Sequence, residues 1–400
     1  MVASGPRPLQ QLVLKIHSRC NLGCDHCYVY TGADQSWRRQ PLVMSAETGL
    51  QVADRVAEHL SEHPLPEFRI VLHGGEPLLA GPAVIDRLVT AIRARAPGNI
   101  RMAIQTNGVL LDDRFLRLFH RHTIRVGVSL DGDRSANDRH RLFNNGRSSY
   151  LAVVRALALL REERHHRIYS GLLCTIDLRN DPVATYESLL THSPPRIDLL
   201  LPHANWAVRP PHSADPKSAP YGEWLIAIFE RWYSAPRQET GIRLFESIIS
   251  RLLGGGSQTT AIGAGGGSLL TVETDGSIEA SDSLKTAAPG AAATGLNIFT
   301  SSFDEALRHP LVTPSAEGLA GLCQTCRSCP VVSVCGGGLH THRFSIQNGF
   351  DNPSVYCSDL LLLIQHIRSR VTADLRLANP CAGTPQGRLV RLVGTSRVGR

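Results

Sequence analysis

The sequence predicts an α/β protein: a partial (β/α)6 barrel followed by a cysteine-rich extension. Three observations predict it. Six short apolar, often β-branched runs alternate with amphipathic segments between residue 12 and about 235, a glycine-rich stretch at 254–268 interrupts that rhythm, and cysteines gather at 20–27 and again at 323–357.

The strands read as 12–17, 68–73, 99–105, 123–130, 169–177 and 196–202, and the helices lie near 46–61, 82–96, 112–121, 148–163, 182–192 and 220–235. Strands separated by helices pair in parallel, and in such sheets ligands sit at the carboxyl ends of the strands. The barrel therefore spans 1–240, with a linking helix and the glycine-rich loop at 241–268. A second unit covers 269–378: a hairpin turning at Asp275-Gly276, a turn-rich cysteine segment at 322–357 and a helix over 358–378. The tail, 379–400, has little apolar pattern and reads as mobile.

At 400 residues the chain exceeds the usual size of one small core, and no stretch approaches the roughly 18–20 apolar residues of a membrane span. The amino terminus also lacks the apolar core of a secretory signal, so the expected location is the cytoplasm, where the ten cysteines stay reduced and serve metals rather than disulfides. A net charge of +7 suits an acidic partner, but Lys and Arg are scattered and no basic stripe interleaves with aromatics, which argues against nucleic acid.

Cys20, Cys24 and Cys27 stand as C-x3-C-x2-C directly after the first strand. Three thiolates are one fewer than a closed site needs, so a metal centre there keeps an open position, unless His17 or His26 completes a zinc site. Gly74-Gly75-Glu76-Pro77 follows the second strand, where glycine admits close backbone approach and Glu76 offers an acceptor to an ammonium group. Gln105-Thr106-Asn107-Gly108 and Ser129-Leu130-Asp131-Gly132 follow the third and fourth, and by themselves read equally well as Asn-Gly and Asp-Gly turns.

With these motifs the chain resembles the radical S-adenosylmethionine (SAM) superfamily along the whole barrel, which makes the expected fold a TIM-like radical SAM barrel. The resemblance implies a 4Fe-4S cluster on Cys20, Cys24 and Cys27, with SAM chelated at the open iron. It also implies SAM contacts from Gly74, Gly75, Glu76 and Pro77, from Gln105 and Asn107, and from Ser129 and Asp131. His26 departs from the usual aromatic residue before the third cysteine.

Near the C-terminal end, Cys326, Cys329, Cys335 and Cys357 form C-x2-C-x5-C-x21-C, enough thiolates to saturate either zinc or an iron-sulfur cluster. The segment is similar to the SPASM extension of peptide-modifying radical SAM enzymes, which implies an auxiliary 4Fe-4S cluster on these four. A first auxiliary cluster, usual in that extension, lacks its ligands: Gly263-Ala264, Ser281 and Leu339 stand where cysteines are expected. Cys323 reads as a spare thiol, Cys174 as a buried apolar residue and Cys381 as part of the tail. Asp282 follows the hairpin where related sulfatase-maturing enzymes carry a general base, and Asp177, His203 and Asn205 are polar strand-end residues that could line a cavity.

The opening segment VLKIHSRCNLGCDHCYVYTGADQSWRRQP and the segment from Ser277 to Pro310 resemble the FxsB-like branch of SPASM peptide maturases. The resemblance implies a ribosomally made precursor peptide as substrate and a bond between an aromatic ring carbon and a β-carbon, giving a three-residue cyclophane. An electron donor such as flavodoxin or ferredoxin is then also expected. Alternatives are thioether or formylglycine chemistry, or a zinc-bearing peptide-binding protein without catalysis.

Overall fold

The computed structural model describes residues 7–212, 215, 218–263, 268–312 and 318–377, so Ala264, Cys381 and the tail at 379–400 lie outside the described residues. The barrel runs β1 (Leu9–His17), α1 (Ala46–Glu62), β2 (Phe68–Gly74), α2 (Pro82–Arg95), β3 (Ile100–Thr106), α3 (Asp113–His122), β4 (Ile124–Ser129), α4 (Arg134–Asn137), α5 (Tyr150–Leu160), β5 (Tyr169–Thr175), α6 (Pro182–Leu190) and β6 (Arg196–Leu200). Then follow α7 (Pro220–Tyr233), β7 (Gly241–Ile242), α8 (Arg243–Leu252), β8 (Ser268–Val272), β9 (Ser277–Glu279), β10 (Ala293–Asn297), α9 (Phe303–Leu307), α10 (Gln324–Arg327), α11 (Val332–Cys335) and α12 (Cys357–Leu377).

Local chemistry sets the helix starts. Ser45 caps α1 by accepting from the Thr48 N–H, Asp112 caps α3 through Arg114 and Phe115, and Asp181 with Pro182 opens α6. The apolar faces they present close over one continuous core in which Leu12, Leu14 and Ile16 of β1 are fully buried. Burial of this kind contributes about 1.5–3 kcal/mol per large aliphatic side chain.

Among the described residues all ten strands form one sheet in the order β10-β9-β8-β1-β2-β3-β4-β5-β6-β7. β1 to β7 are parallel, and the expected hairpin exists as β8 and β9, but β8 also pairs in parallel with β1 through Leu12 and Leu270. The C-terminal segment therefore extends the barrel sheet. Its hairpin signal was local, whereas the choice of β1 as partner depends on an edge that the first 250 residues must build.

The sheet curls. Gln11 of β1, His73 of β2, Gln105 of β3 and Arg196 and Asp198 of β6 line one cavity of about 260 Å³. Glycine keeps it open, since a Cβ at Gly127 would lie 2.4 Å from Gln105 Oε1. Among the described residues no helix is long and apolar enough to cross a membrane.

Candidate active site

The first thiol set lies on the loop leaving β1, and the ends of β2 and β3 hold that loop. Gly75 donates its N–H to the His17 carbonyl and Glu76 to the Arg19 carbonyl, at 2.8 and 2.9 Å. This contact explains the glycine pair: a Cβ at Gly74 would sit 2.3 Å from the His17 oxygen, and one at Gly75 would sit 1.9 Å from the Tyr30 hydroxyl and 2.4 Å from the Arg19 backbone. Ser18 and Arg19 tie the other flank, donating at 2.6 Å each to the carbonyls of Pro41 and Trp37.

Cys20, Cys24 and Cys27 are each half-buried. Burial, with smaller contributions from neighbouring thiols, pushes Cys20 up to about 12; burial likewise pushes Cys24 up to about 11. Left bare, the Cys20 and Cys24 sulfurs keep their protons at neutral pH, and a bound cation reverses that preference. Asn107 reaches the same loop, with its Nδ2 3.7 Å from Cys20 Sγ and 2.8 Å from Asn21 Oδ1.

Glu76 is engaged with the protein itself. Its carboxylate accepts from Thr106 Oγ1 at 2.7 Å, Asn107 N at 2.8 Å and Leu78 N at 3.0 Å, and burial pushes it up to about 7. It straps the end of β2 to the end of β3, while Pro77 opens a short 3-10 turn. Gln105 donates to Ser129 Oγ at 3.0 Å. Asp131 is buried against Arg141 at 2.7 Å and accepts from Thr175 N; burial alone would raise it, but Arg141 and then His26 hold it below the usual carboxylate range.

A second constellation sits between the barrel and the hairpin extension. Asp282 Oδ2 lies 2.6 Å from Lys15 Nζ and accepts from the Tyr28 hydroxyl at 2.6 Å. Burial opposes ionisation, yet the ammonium of Lys15 and the neighbouring His73 hold Asp282 well below the ordinary range. Lys15 also touches His73 Nδ1 at 3.3 Å, its direct register partner on β2. Lys285 bridges Glu273 and Glu279 at 2.6 and 3.0 Å, and burial followed by the charge of Glu273 pushes Glu279 up to about 8.

Of the other strand-end residues, His203 packs on the Tyr28 ring at 4.6 Å and so belongs to this constellation. Asn205 instead fastens its own loop, donating to the Thr286 carbonyl and accepting from Ala207 and Val208. Asp177 is bound to Arg179 and His140, which bring it down to about 2 against the effect of burial. Cys174 is buried in β5.

The second thiol set gathers around α10, α11 and the start of α12. Cys335 ends α11, and Gly336, Gly337 and Gly338 follow with φ of 66°, 83° and 69°. This left-handed run, which favours glycine, wraps the backbone around Cys335: Gly338 donates to the Cys335 carbonyl at 3.3 Å, and the N–H groups of Gly337 and Gly338 partly offset the burial that pushes the Cys335 thiol up. Cys335 lies near Cys357 and Cys329, and Cys326 near Cys357 and Cys335. The guanidinium of Arg343, 7% exposed, stands beside Cys326 and Cys335, and its Nε is buried with no partner. Gly263 donates to the Cys335 carbonyl, Ser281 pairs with Ser283, and Leu339 begins a 3-10 turn, so none of these three brings a thiol.

Both sets fit iron-sulfur clusters better than zinc. Tetrahedral zinc, with Zn–S near 2.3 Å, draws sulfurs to roughly 3.8 Å of each other. Among the described residues, the groups of three or more candidate ligand atoms within 4.8 Å are Asp25–His26–His140 and His59–His63–Asp304; neither thiol set is so tight. The second of those groups is hydrogen-bonded structure: His59 Nε2 accepts from Leu9 N, so the proton is on Nδ1, which faces Asp304 at 3.2 Å. Peptide N–H donors and a buried guanidinium around the second set suit the negative charge of a thiolate-held cluster.

Sequence reasoning missed Lys15, Tyr28, His73, Glu273, Glu279 and Lys285. A lysine at an inward position of an otherwise apolar strand was the one available signal, since its partner Asp282 is remote in sequence.

A family model of the radical SAM superfamily matches residues 14–185. The chain is 25% identical over 346 residues to the serine-type anaerobic sulfatase-maturating enzyme of Klebsiella aerogenes, covering 84% of this chain and 81% of that protein. It is 23% identical over 280 residues to the cysteine-type enzyme of Clostridium perfringens, covering 68% and 73%. Among solved structures, native anSMEcpe with bound AdoMet superposes with a TM-score of 0.78 at 20% identity, over 92% of this chain and 99% of that one. SuiB of Streptococcus suis bound to the precursor peptide SuiA superposes at 0.55 and 13% identity, over 89% and 76%. These likenesses agree with the α/β fold, the thiol loop after β1 and the strand-end residues around it: residues 14–185 are similar to the radical SAM superfamily.

Proposed function

We propose that this chain is a peptide-modifying radical SAM enzyme that closes an aromatic-carbon to β-carbon bond in a ribosomally made precursor, forming a three-residue cyclophane. In this reading Cys20, Cys24 and Cys27 hold a 4Fe-4S cluster that binds SAM, and Cys326, Cys329, Cys335 and Cys357 hold one auxiliary 4Fe-4S cluster. The observation that carries it is the pairing of a three-thiol site, open towards the strand ends, with a four-thiol site closed by glycines and Arg343.

When bound, the first cluster and SAM supply a 5'-deoxyadenosyl radical able to remove an unactivated hydrogen atom. The protein's own residues then have three tasks. Gly74 and Gly75 seat the thiol loop, and Asn107 orients it, while Glu76 and Pro77 fix the neighbouring strand end. Gln105, Ser129 and Asp131 offer polar contacts to the cosubstrate from the next two strand ends. Asp282 accepts the proton released when the ring closes; Lys15 keeps it ionised between turnovers, and Tyr28 and His203 define the wall beside it. Ring closure removes two electrons from the peptide, and an electron acceptor near the product accounts for the second thiol set. A flavodoxin- or ferredoxin-type protein supplies the first electron.

A second reading, formylglycine formation in a sulfatase, is favoured by the alignment with the Klebsiella enzyme over 84% of this chain. Against it stand Ser281 and Leu339, which leave one auxiliary thiol set where the SPASM resemblance implies two. Coexpression with the short peptide encoded beside this gene, followed by tandem mass spectrometry, separates the two. Ring closure gives loss of two hydrogens with no hydrazide-reactive aldehyde, while a formylglycine product reacts with the hydrazide. Absence of deoxyadenosine under reducing conditions would defeat both.

A further inference from the structure

At the end of the barrel away from the thiol loop, the amino-terminal ends of the strands carry arginines. Side chains alternate across a strand, and Val71 of β2, Ala103 of β3 and Gly127 of β4 line the barrel cavity. The residues two positions earlier share that inner face, and each is an arginine: Arg69, Arg101 and Arg125. Arg69 and Arg101 are register partners. Arg196 of β6 and Arg243, the first residue of α8, line the cavity themselves.

Three carboxylates answer these five guanidiniums. Glu67 binds Arg69 and Arg101 at 2.7 and 2.5 Å, Asp198 binds Arg243 at 3.2 Å, and Glu246 stands 3.7 Å from Arg196. Arg125 has no carboxylate partner among the described residues. Arg196 keeps a buried Nε with no hydrogen-bond partner. Partial burial and then the charges of Arg196 and Arg101 lower Arg125 from its ordinary range. Like charges gathered without a counter-charge repel, and an added anion relieves them.

The space for that anion is already present. β5 stands between Arg125 and Arg196, and at that level it offers Gly171, the register partner of Gly127. Neither glycine has a side chain to fill the cavity of about 260 Å³, which runs on to His73 and Gln105. That volume lies near the lower end of small-ligand pockets and suits a side chain with a short extended segment. A guanidinium fork matches a carboxylate in two hydrogen bonds. From Arg125 to Ser129 is four steps along β4, roughly 13 Å at a rise of about 3.3 Å per residue. A few residues of extended peptide therefore link the arginines to the strand ends where the reaction is proposed.

We propose that the arginine cluster at the amino-terminal mouth of the barrel, centred on Arg125 and Arg196, is a docking site for a carboxylate side chain of the substrate peptide. The inference rests on the peptide-modifying reading above. The carboxylate supplies the counter-charge Arg125 lacks, and the cavity holds the segment that joins it to the reacting residue.

The test titrates the reconstituted full-length protein, at low ionic strength and without SAM, with an acetylated pentapeptide amide of glycines with one central glutamate. A second peptide carries glutamine in its place, and isothermal calorimetry gives both affinities. The glutamate peptide is expected to bind the parent protein about tenfold tighter, as for one charge-assisted pair. Arg125→Gln should remove that preference. Arg155→Gln, which deletes an equal charge at an exposed position of α5, should keep it. Equal affinity of the two peptides for the parent protein would overturn the proposal without reference to any variant. So would an unchanged preference in Arg125→Gln, its equal loss in Arg155→Gln, or tighter binding of inorganic phosphate than of the glutamate peptide. Deoxyadenosine is measured on the same preparation with SAM and reductant. Its absence beside an intact glutamate preference would fail the radical SAM reading alone, and SAM cleavage without that preference would fail this inference alone.

Discussion

The two thiol sites differ in how their sulfurs are held. Around Cys20, Cys24 and Cys27 the neighbours are polar side chains from separate strands: Asn107, Asp131 with Arg141, and the Glu76 strap. Around Cys335 the neighbours are the backbone of its own chain turn, with two glycine N–H groups and one buried guanidinium. A site built from side chains at strand ends leaves room for a further ligand, because each side chain approaches from one direction. A site wrapped by consecutive backbone closes on itself. In the proposed function the first set is the reaction centre and the second the electron acceptor.

Removing thiols separates the two roles and gives the largest expected effect. Cys24→Ala should abolish deoxyadenosine formation, a loss of at least about 10³-fold, while leaving iron at the second site. Cys335→Ala should do the reverse: SAM is still cleaved, but peptide product falls to background. Iron analysis and chromatographic quantitation of deoxyadenosine check both. If Cys335→Ala also ended SAM cleavage, the two sites would not be functionally distinct.

The buried pair Lys15–Asp282, joined by the Tyr28 hydroxyl, should show the next effect. Breaking a buried ion pair by removing one partner costs about 3–5 kcal/mol, so Lys15→Met should lower the unfolding midpoint markedly. Asp282 has a depressed carboxyl in the folded chain, so its stabilising contribution is present above the unfolded value of 3.8 and is lost as pH falls towards the folded value. Lys15→Met should therefore flatten the acid limb of stability. Asp282→Asn should still cleave SAM but lower peptide product about 10²–10⁴-fold, as expected for loss of a proton acceptor. Product formation at the parental rate in Asp282→Asn would remove its role.

These predictions also mark what could be read without coordinates. The βα alternation and both cysteine spacings are local, and each of the strands expected at 68–73, 99–105 and 196–202 is present within one or two residues of those bounds. Lys15 meeting Asp282 is not local, because it depends on β8 docking beside β1 and on the turn after β9. The glycines at 336–338 were not singled out in the sequence, because their role beside Cys335 depends on three successive positive φ values. Glu76 was legible as a carboxylate near a ligand, and the structure adds that its oxygens already serve Thr106, Asn107 and Leu78.

Substitution at the strand ends should give smaller effects, and it tests how far the first site depends on packing. Gly75→Ala brings a methyl against Tyr30 and the Arg19 backbone, and overpacking of this kind costs about 1–3 kcal/mol, seen as a lower melting temperature and less iron at the first site. Adding Tyr30→Phe removes the hydroxyl but not the Arg19 contact at 2.4 Å, so it should recover only part of the loss. Full recovery would assign the whole restraint to the hydroxyl.

Glu76 gives the mildest effect and a signature in pH. Its folded value near 7 lies above the unfolded 4.5, so the folded state holds a proton that the unfolded state has released. That contribution to stability is complete below about pH 4.5 and is lost as pH rises to about 7. Glu76→Gln keeps one acceptor oxygen, enough for Thr106 and Leu78 but not also for the Asn107 N–H on the other oxygen, and has no titrating proton, so its melting temperature should fall less between these limits than the parent's. Parallel curves for the two proteins would mean that the carboxyl is already ionised throughout, with the three donors outweighing burial. The strap between β2 and β3 would then act as a fixed negative charge beside the open thiol site.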